Sequence, residues 1–360
     1  MKLLAFRHFS AFIIVLFFLG CNANSSEKEK VSSSEGETSR KSKMKALIMD
    51  GENNHGIWPK TTMMLKSYLE DTALFEVEIK RKKFLYQGPH HAAVPGIEDI
   101  KELLALYPLN DSKTYISVDK PRKDSTYLVD FSEYDLVVSN MGWESSELPL
   151  STQKSLEKYM DNGGGLVIIH AANNAWPEWK AFNEMIGLGA WGDRSEKDGP
   201  YVYYNEKDEI IKDPSVGQCG SHGPEMEFII QTRAPSHPIM KGLPKEWLHA
   251  SDELYDRMRG PAKNMTILAT AYSDVEKNAP PWDKETKGTG RHEPMLITVN
   301  YGKGRMFQST LGHMDYTMEG VGFISTFQRG AEWAATGKVS QKIPDDFPSA
   351  ARISTRKWKQ

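Results

Sequence analysis

The chain has 360 residues, with 45 Lys and Arg against 48 Asp and Glu, a formal net charge of −3. So even a balance excludes nucleic-acid binding through bulk charge. With Cys21 and Cys219 as its only cysteines, the chain is no disulfide-stapled scaffold.

Lys2 and Arg7 flank a basic start, followed by an apolar run from Ala11 to Leu19. This is shorter than the roughly 20 residues of a permanent bilayer helix, and it suits a secretory signal. Leu19-Gly20-Cys21 places a small residue directly before a cysteine. That arrangement resembles the bacterial lipobox, in which the thiol is diacylated and the peptide is cut before it. The alternative is an ordinary signal peptide. The expectation is a signal over 1–21, lipidation at Cys21, and a protein held in the cell envelope, on the periplasmic face or the cell surface, by its lipid alone. Residues 22–44 contain no aromatic side chain. They cannot bury enough surface to offset their ordering entropy, and they read as a disordered tether.

The remaining chain is long enough for a sizeable core. Lys45 to Met49 is an apolar strand, Met64, Leu65, Tyr68 and Leu69 share a helical face, and Phe75 to Ile79 alternates as a strand. An excursion over 84–124 carries one helix near Ile97 to Leu106. A buried strand at Tyr134–Ser139, a helix from Ser151 to Met160 and a strand at Leu166–Ile169 follow. Apolar strands alternating with amphipathic helices predict an α/β fold with a doubly wound, mostly parallel sheet. Further strands are expected at Glu227–Ile230, Met265–Thr270, Met295–Val299 and Arg305–Ser309, some of them antiparallel. Tyr301 to Arg305 reads as a hairpin turn. A last helix from Phe323 to Ala335 closes a single domain over 45–339, leaving a basic tail at 340–360.

In such sheets ligands bind beyond the carboxyl ends of the strands. The loops there hold Asp50, Asn54, His55 and Trp58, then Asn140 and Trp143, then His170, Asn173 and Trp176. Amides and imidazoles hydrogen-bond hydroxyls and indoles stack on sugar rings, so the expected ligand is a small carbohydrate. A second set comprises His222, His249, Asp252, Glu253, Glu293 and His313. His249 and Asp252, three apart, would share a face of a helix. Imidazole with carboxylate serves acid/base catalysis or holds a divalent metal such as zinc, although no His-Glu-x-x-His pattern is present. His170 and His249 are the candidate proton-transfer groups, with Asp252 or Glu253 orienting them. Cys219 reads as a small buried residue rather than a nucleophile.

ALIMDGENNHGIWPK from Ala46, GGGLVIIHAANN from Gly163, HPIMKGLPKEWLHASDELY from His237, and the segments Gly302–His313 and Arg329–Trp333 together resemble the ThuA-like family, named after a trehalose-utilisation protein. The resemblance implies a class I glutamine-amidotransferase-like, flavodoxin-like fold and a role in sugar or keto-sugar catabolism. Such amidotransferases keep a cysteine in the sharp turn after a central strand. Here His170 stands in that turn, and an imidazole cannot form the required thioester, so glutamine hydrolysis is not expected. A non-catalytic carbohydrate-binding lipoprotein is the alternative.

Overall fold

Strands that are apolar along their whole length need cover on both faces, and the fold supplies it. In the computed structural model, which describes residues 42–86 and 100–360, β1 (Met44–Glu52), α1 (Trp58–Asp71) and β2 (Phe75–Tyr86) form the first βαβ unit. The excursion holds α2 (Ile100–Leu106) and the short β3 (Ile116–Ser117). Next come β4 (Leu136–Ser139), α3 (Leu150–Asp161), β5 (Gly165–Ile169) and α4 (Lys180–Ile186). The second half runs through β6 (Tyr201–Tyr204), β7 (Ile210–Asp213), β8 (Ser221–His222), β9 (Met226–Thr232), β10 (Glu246–Asp252), β11 (Tyr255–Asp256) and β12 (Met265–Tyr272). It ends with β13 (His292–Tyr301), β14 (Gly304–Ser309), α5 (Asp315–Met318) and α6 (Val321–Thr336). The expected signal, Cys21 and most of the expected tether, as well as the expected start of α2, lie outside the described residues. Among those described, no helix is long and apolar enough to cross a membrane.

The main sheet has 12 strands in the order β10-β9-β12-β13-β14-β5-β4-β1-β2-β3, with β6 branching from β13 and carrying β7. From β3 to β14 every pairing is parallel; from β14 to β10 every pairing is antiparallel. The sheet is therefore mixed rather than mostly parallel. The cause of the reversal is local: Tyr301 faces Gly304 across a tight turn with Gly302 at φ +54°. A two-residue connection can join only antiparallel strands.

Alternate residues feed two cores. Ala46, Ile48, Val138, Val167, Ile169 and Phe307 face α1 and α6, while Leu47, Met49, Val137, Leu166, Ile168 and Met306 face α3 and α4. Pro59 fixes the first turn of α1, and Gly337 at φ +72° ends α6 with its N–H on the Trp333 carbonyl. The residues after Lys338 lie against the domain: Phe347 packs on Trp247, and Trp358 on Tyr107.

Two buried ion pairs fasten β2 to the end of β1. Arg81 donates to Asp50 through Nη2 at 2.7 Å and Nε at 3.0 Å, and Lys82 Nζ donates to Glu52 at 2.5 Å. All four side chains are buried. Removing one partner of such a pair leaves an uncompensated charge in the interior. Asp50→Asn is accordingly expected to cost about 3–5 kcal/mol of stability, measured as a lower urea midpoint at unchanged slope.

Candidate functional site

Strand ends on the parallel half supply one wall of the site. After β1, Asn53 donates through Nδ2 to the carbonyls of Asn140 and Met141, each at 3.2 Å, and so locks the β1 loop to the β4 loop. Asn54 Oδ1 accepts the Trp143 N–H at 2.9 Å. Gly142 is required at this junction, because a Cβ there would stand 2.6 Å from Asn54 Oδ1 and 2.7 Å from Asn53 Oδ1. After β5 the backbone turns sharply at His170, whose φ of +45° is a costly conformation for a side chain with a Cβ. The loop after β14 delivers His313.

The other wall comes from the second half. Pairing of β8 with β11 sets His222 opposite Tyr255, and Glu253 precedes that ladder. One ligand atom from each of His55, His170, Glu253 and His313 lies within 4.8 Å of the others. Glu253 is 3.5 Å from His170 Nε2, 3.4 Å from His313 Nε2 and 3.4 Å from His222 Nδ1. The Tyr255 hydroxyl is 2.9 Å from His170 Nε2. Above this floor opens a cavity of about 510 Å³, walled by Trp143, Trp191, Trp282 and Met314 and also lined by Asn54, Asn174 and His222.

The imidazoles are held in defined tautomers. His170 Nδ1 lies 2.7 Å from the Thr310 carbonyl, and a carbonyl only accepts, so Nδ1 carries the proton and Nε2 its electron pair. His313 Nδ1 meets Glu225 at 2.5 Å, and His55 Nδ1 meets Asn53 Oδ1 at 3.2 Å. That Asn53 oxygen also accepts the His55 backbone N–H at 2.9 Å, which fixes the amide's orientation.

Burial opposes ionisation of Glu253, yet the surrounding imidazoles, His313 foremost, outweigh it and hold its pKa at about 2. His313 is likewise opposed by burial and raised overall by Glu253 and Glu225. Burial pushes His222 down, which keeps it neutral, and pushes the Tyr255 phenol well up. The depressed carboxylate stabilises the fold above its ordinary 4.5 and loses this as pH falls toward 2; the raised imidazole stabilises below its ordinary 6.5 and loses this as pH rises through its folded value. The melting-temperature gap between the metal-free protein and Glu253→Gln should therefore be widest between about pH 4.5 and 6.5 and shrink on both sides. A gap that does not vary with pH would contradict this pairing.

Of the residues singled out in the sequence, the fold unites Asn54, His55, His170, His222, Glu253 and His313. Asp252 and His249 sit behind them, on β10 and not on a helix. His249 Nε2 donates to Asp252 Oδ2 at 2.9 Å, deep in the core beside Phe228. Asp50 faces Arg81, and Trp58 is buried against Leu85 and Ile100. Asn140 donates to the hydroxyls of Thr61 and Thr62 on α1, at 3.2 and 2.9 Å. Asn173 is buried with Nδ2 near Met258 sulfur. Glu293 accepts from Thr289 and Arg291, both at 2.8 Å, away from the cavity. None of these last five lines the cavity. Sequence reasoning passed over Trp191, Trp282 and Glu225. The flanking Pro280-Pro281 marks a loop at Trp282, but no local pattern signals its direction.

The family model described as trehalose utilisation matches residues 45–334. The chain belongs to the ThuA family. A crystal structure of a ThuA-like protein from Parabacteroides merdae is 39% identical, with a TM-score of 0.70, covering 88% of this chain and 98% of that one. A second ThuA-like crystal structure, from Bacteroides uniformis, is 17% identical with a TM-score of 0.46, covering 82% and 93%. No curated protein matches. The ThuA match spans both walls of the site, from Asp50 to His313.

Proposed function

We propose that this ThuA-family chain acts on a small carbohydrate, a sugar or keto-sugar, by acid/base chemistry in the indole-walled cavity. The observation that carries the reading is the union of Trp143, Trp191 and Trp282 with a floor of Glu253, His222, His55 and His313 in one cavity. Indole faces cover the apolar face of a pyranose, and the polar floor meets its hydroxyls. His222 is the group best placed to take a proton. It lines the cavity, its Nδ1–H is held by the Gly223 carbonyl at 2.8 Å, and its lowered pKa leaves Nε2 unprotonated at neutral pH. The protonated Tyr255 hydroxyl lines the cavity and pairs with His170 Nε2 at 2.9 Å; turned toward the cavity, its O–H would donate to a developing oxyanion.

The same reading takes the parallel half as a flavodoxin-like, class I glutamine-amidotransferase-like scaffold. Leaving out the two-residue β3, its order is β2-β1-β4-β5-β14, the 2-1-3-4-5 order of that group with the cleft where β1 and β4 diverge. The left-handed turn at His170 stands where amidotransferases keep their nucleophile. Cys219 does not replace it: its thiol is buried and pushed up to about 11. The chain is further proposed to be an envelope lipoprotein, tethered through Cys21. Labelled palmitate should enter the wild type in a bacterial host and not Cys21→Ser; label in both removes the anchor.

A thermal-shift screen of sugars and keto-sugars tests the ligand class, since a ligand of the native state raises the melting temperature. With a hit in hand, Trp282→Ala is expected to weaken binding about tenfold, ~1.4 kcal/mol. His222→Gln should spare affinity and lower turnover about 10²–10⁴-fold. Binding without turnover in the wild type would make this a carbohydrate-binding protein instead; no shift with any sugar would sink the reading.

A further inference from the structure

We infer that His55, His170, Glu253 and His313 form a binding site for one divalent transition-metal ion, zinc in the first instance. The first ground is the direction of the electron pairs. His170 commits Nδ1–H to the Thr310 carbonyl, His313 to Glu225 and His55 to Asn53. Metal-bound histidines are held in this way, with the other ring nitrogen donating to a carbonyl, amide or carboxylate. It leaves the Nε2 atoms of His170 and His313 on the side of the Glu253 carboxylate, where one cation can lie between the three groups.

The second ground is spacing. The Glu253 carboxylate reaches both imidazoles, with Oε2 3.5 Å from His170 Nε2 and Oε1 3.4 Å from His313 Nε2. Both separations exceed the roughly 2.7–3.2 Å of an N–H···O hydrogen bond. They match the spacing of neighbouring ligands around zinc, about 3.3–3.6 Å for ligands about 2.0–2.2 Å from the ion, and the whole set, within 4.8 Å, closes onto an ion by small side-chain shifts. The third ground is the setting. Three of the four residues line the cavity, so the ion would be reachable by a ligand oxygen. The imidazole-rich donor set selects zinc, iron or nickel over magnesium or calcium. The Tyr255 hydroxyl now pairs with His170 Nε2; metal binding takes that electron pair and frees the phenol to donate into the cavity.

The test uses the full-length chain, stripped with a chelator and titrated with zinc chloride or cobalt chloride alone, without sugar. Calorimetry should give about one equivalent per chain, and cobalt should develop the intense visible absorption of a low-symmetry nitrogen site. His170→Ala and His313→Ala should abolish both signals. Glu225 is exposed and touches no metal in this scheme; Glu225→Gln should weaken binding about 10–100-fold, with the melting temperature of the stripped protein kept within a few degrees. Glu293→Gln should bind as the wild type does. Binding below a tenth of an equivalent, or wild-type affinity in His313→Ala, overturns the site. Because no sugar is present, such a failure leaves the carbohydrate reading standing, and a failed sugar screen leaves the metal site standing.

Discussion

The site rests on one buried carboxylate. Asp252 Oδ2 accepts from His249 Nε2 at 2.9 Å and from the Gly312 N–H at 2.8 Å; Oδ1 accepts the Glu253 N–H at 2.9 Å and the His313 N–H at 3.2 Å. A buried carboxylate is tolerated only where donors replace its water, and here all four do. In meeting that need, the chain fixes the backbone of Glu253 and of His313 relative to each other. The end of β10, the outermost strand of the antiparallel half, is thus tied to the loop leaving β14 in the middle of the sheet. Asp252 and His249 thus position residues of the candidate site without lining the cavity.

The mixed sheet has a consequence for function. A purely parallel sheet would offer a rim of loops at one end, and this one does so with His55, Asn54, Trp143 and His170. The antiparallel half folds its own loops over the same end, bringing His222, Glu253 and Trp282 from the opposite side. The cavity is therefore closed by segments far apart in the chain. Trp282, 66% exposed, stands at the rim, its ring 4.9 Å from that of His222. Gly142 and the left-handed His170 show what this convergence costs locally: one needs the absence of a Cβ, the other holds a strained turn.

The buried carboxylates differ in what neutralises them. Asp50 and Glu52 are paired with Arg81 and Lys82, contacts that hold β2 and, through Ser146, the 142–146 loop in register. Glu253, among the described residues, is paired with imidazoles and with no Lys or Arg. A carboxylate surrounded by histidines instead of fixed cations is a place where the neutralising charge can be exchanged, for a proton or for a metal ion. That distinction separates the carboxylates paired with fixed cations in this ThuA domain from the one that borders the cavity.

Much of this was written in the local sequence. The runs at Lys45–Met49 and Leu166–Ile169, the helical face of Met64, Leu65, Tyr68 and Leu69, and the turn at Gly302 determine their elements, because hydrophobic period and turn chemistry act over a few residues. His55 and His170 were legible as candidates from their places after expected strands at the rim, and Glu253 and His313 as members of a second set of imidazoles and carboxylates. What sequence could not decide was which polar residues point out and which point in. Asp50, Asn140, Asn173, His249 and Glu293 have the same chemistry as the residues lining the cavity. Only the tertiary structure, by giving Asp50 its arginine, Asn140 its threonines and His249 its aspartate, turns them into supports. The reason is physical: a side chain's role depends on the partner that replaces water around it, and here those partners come from distant parts of the chain.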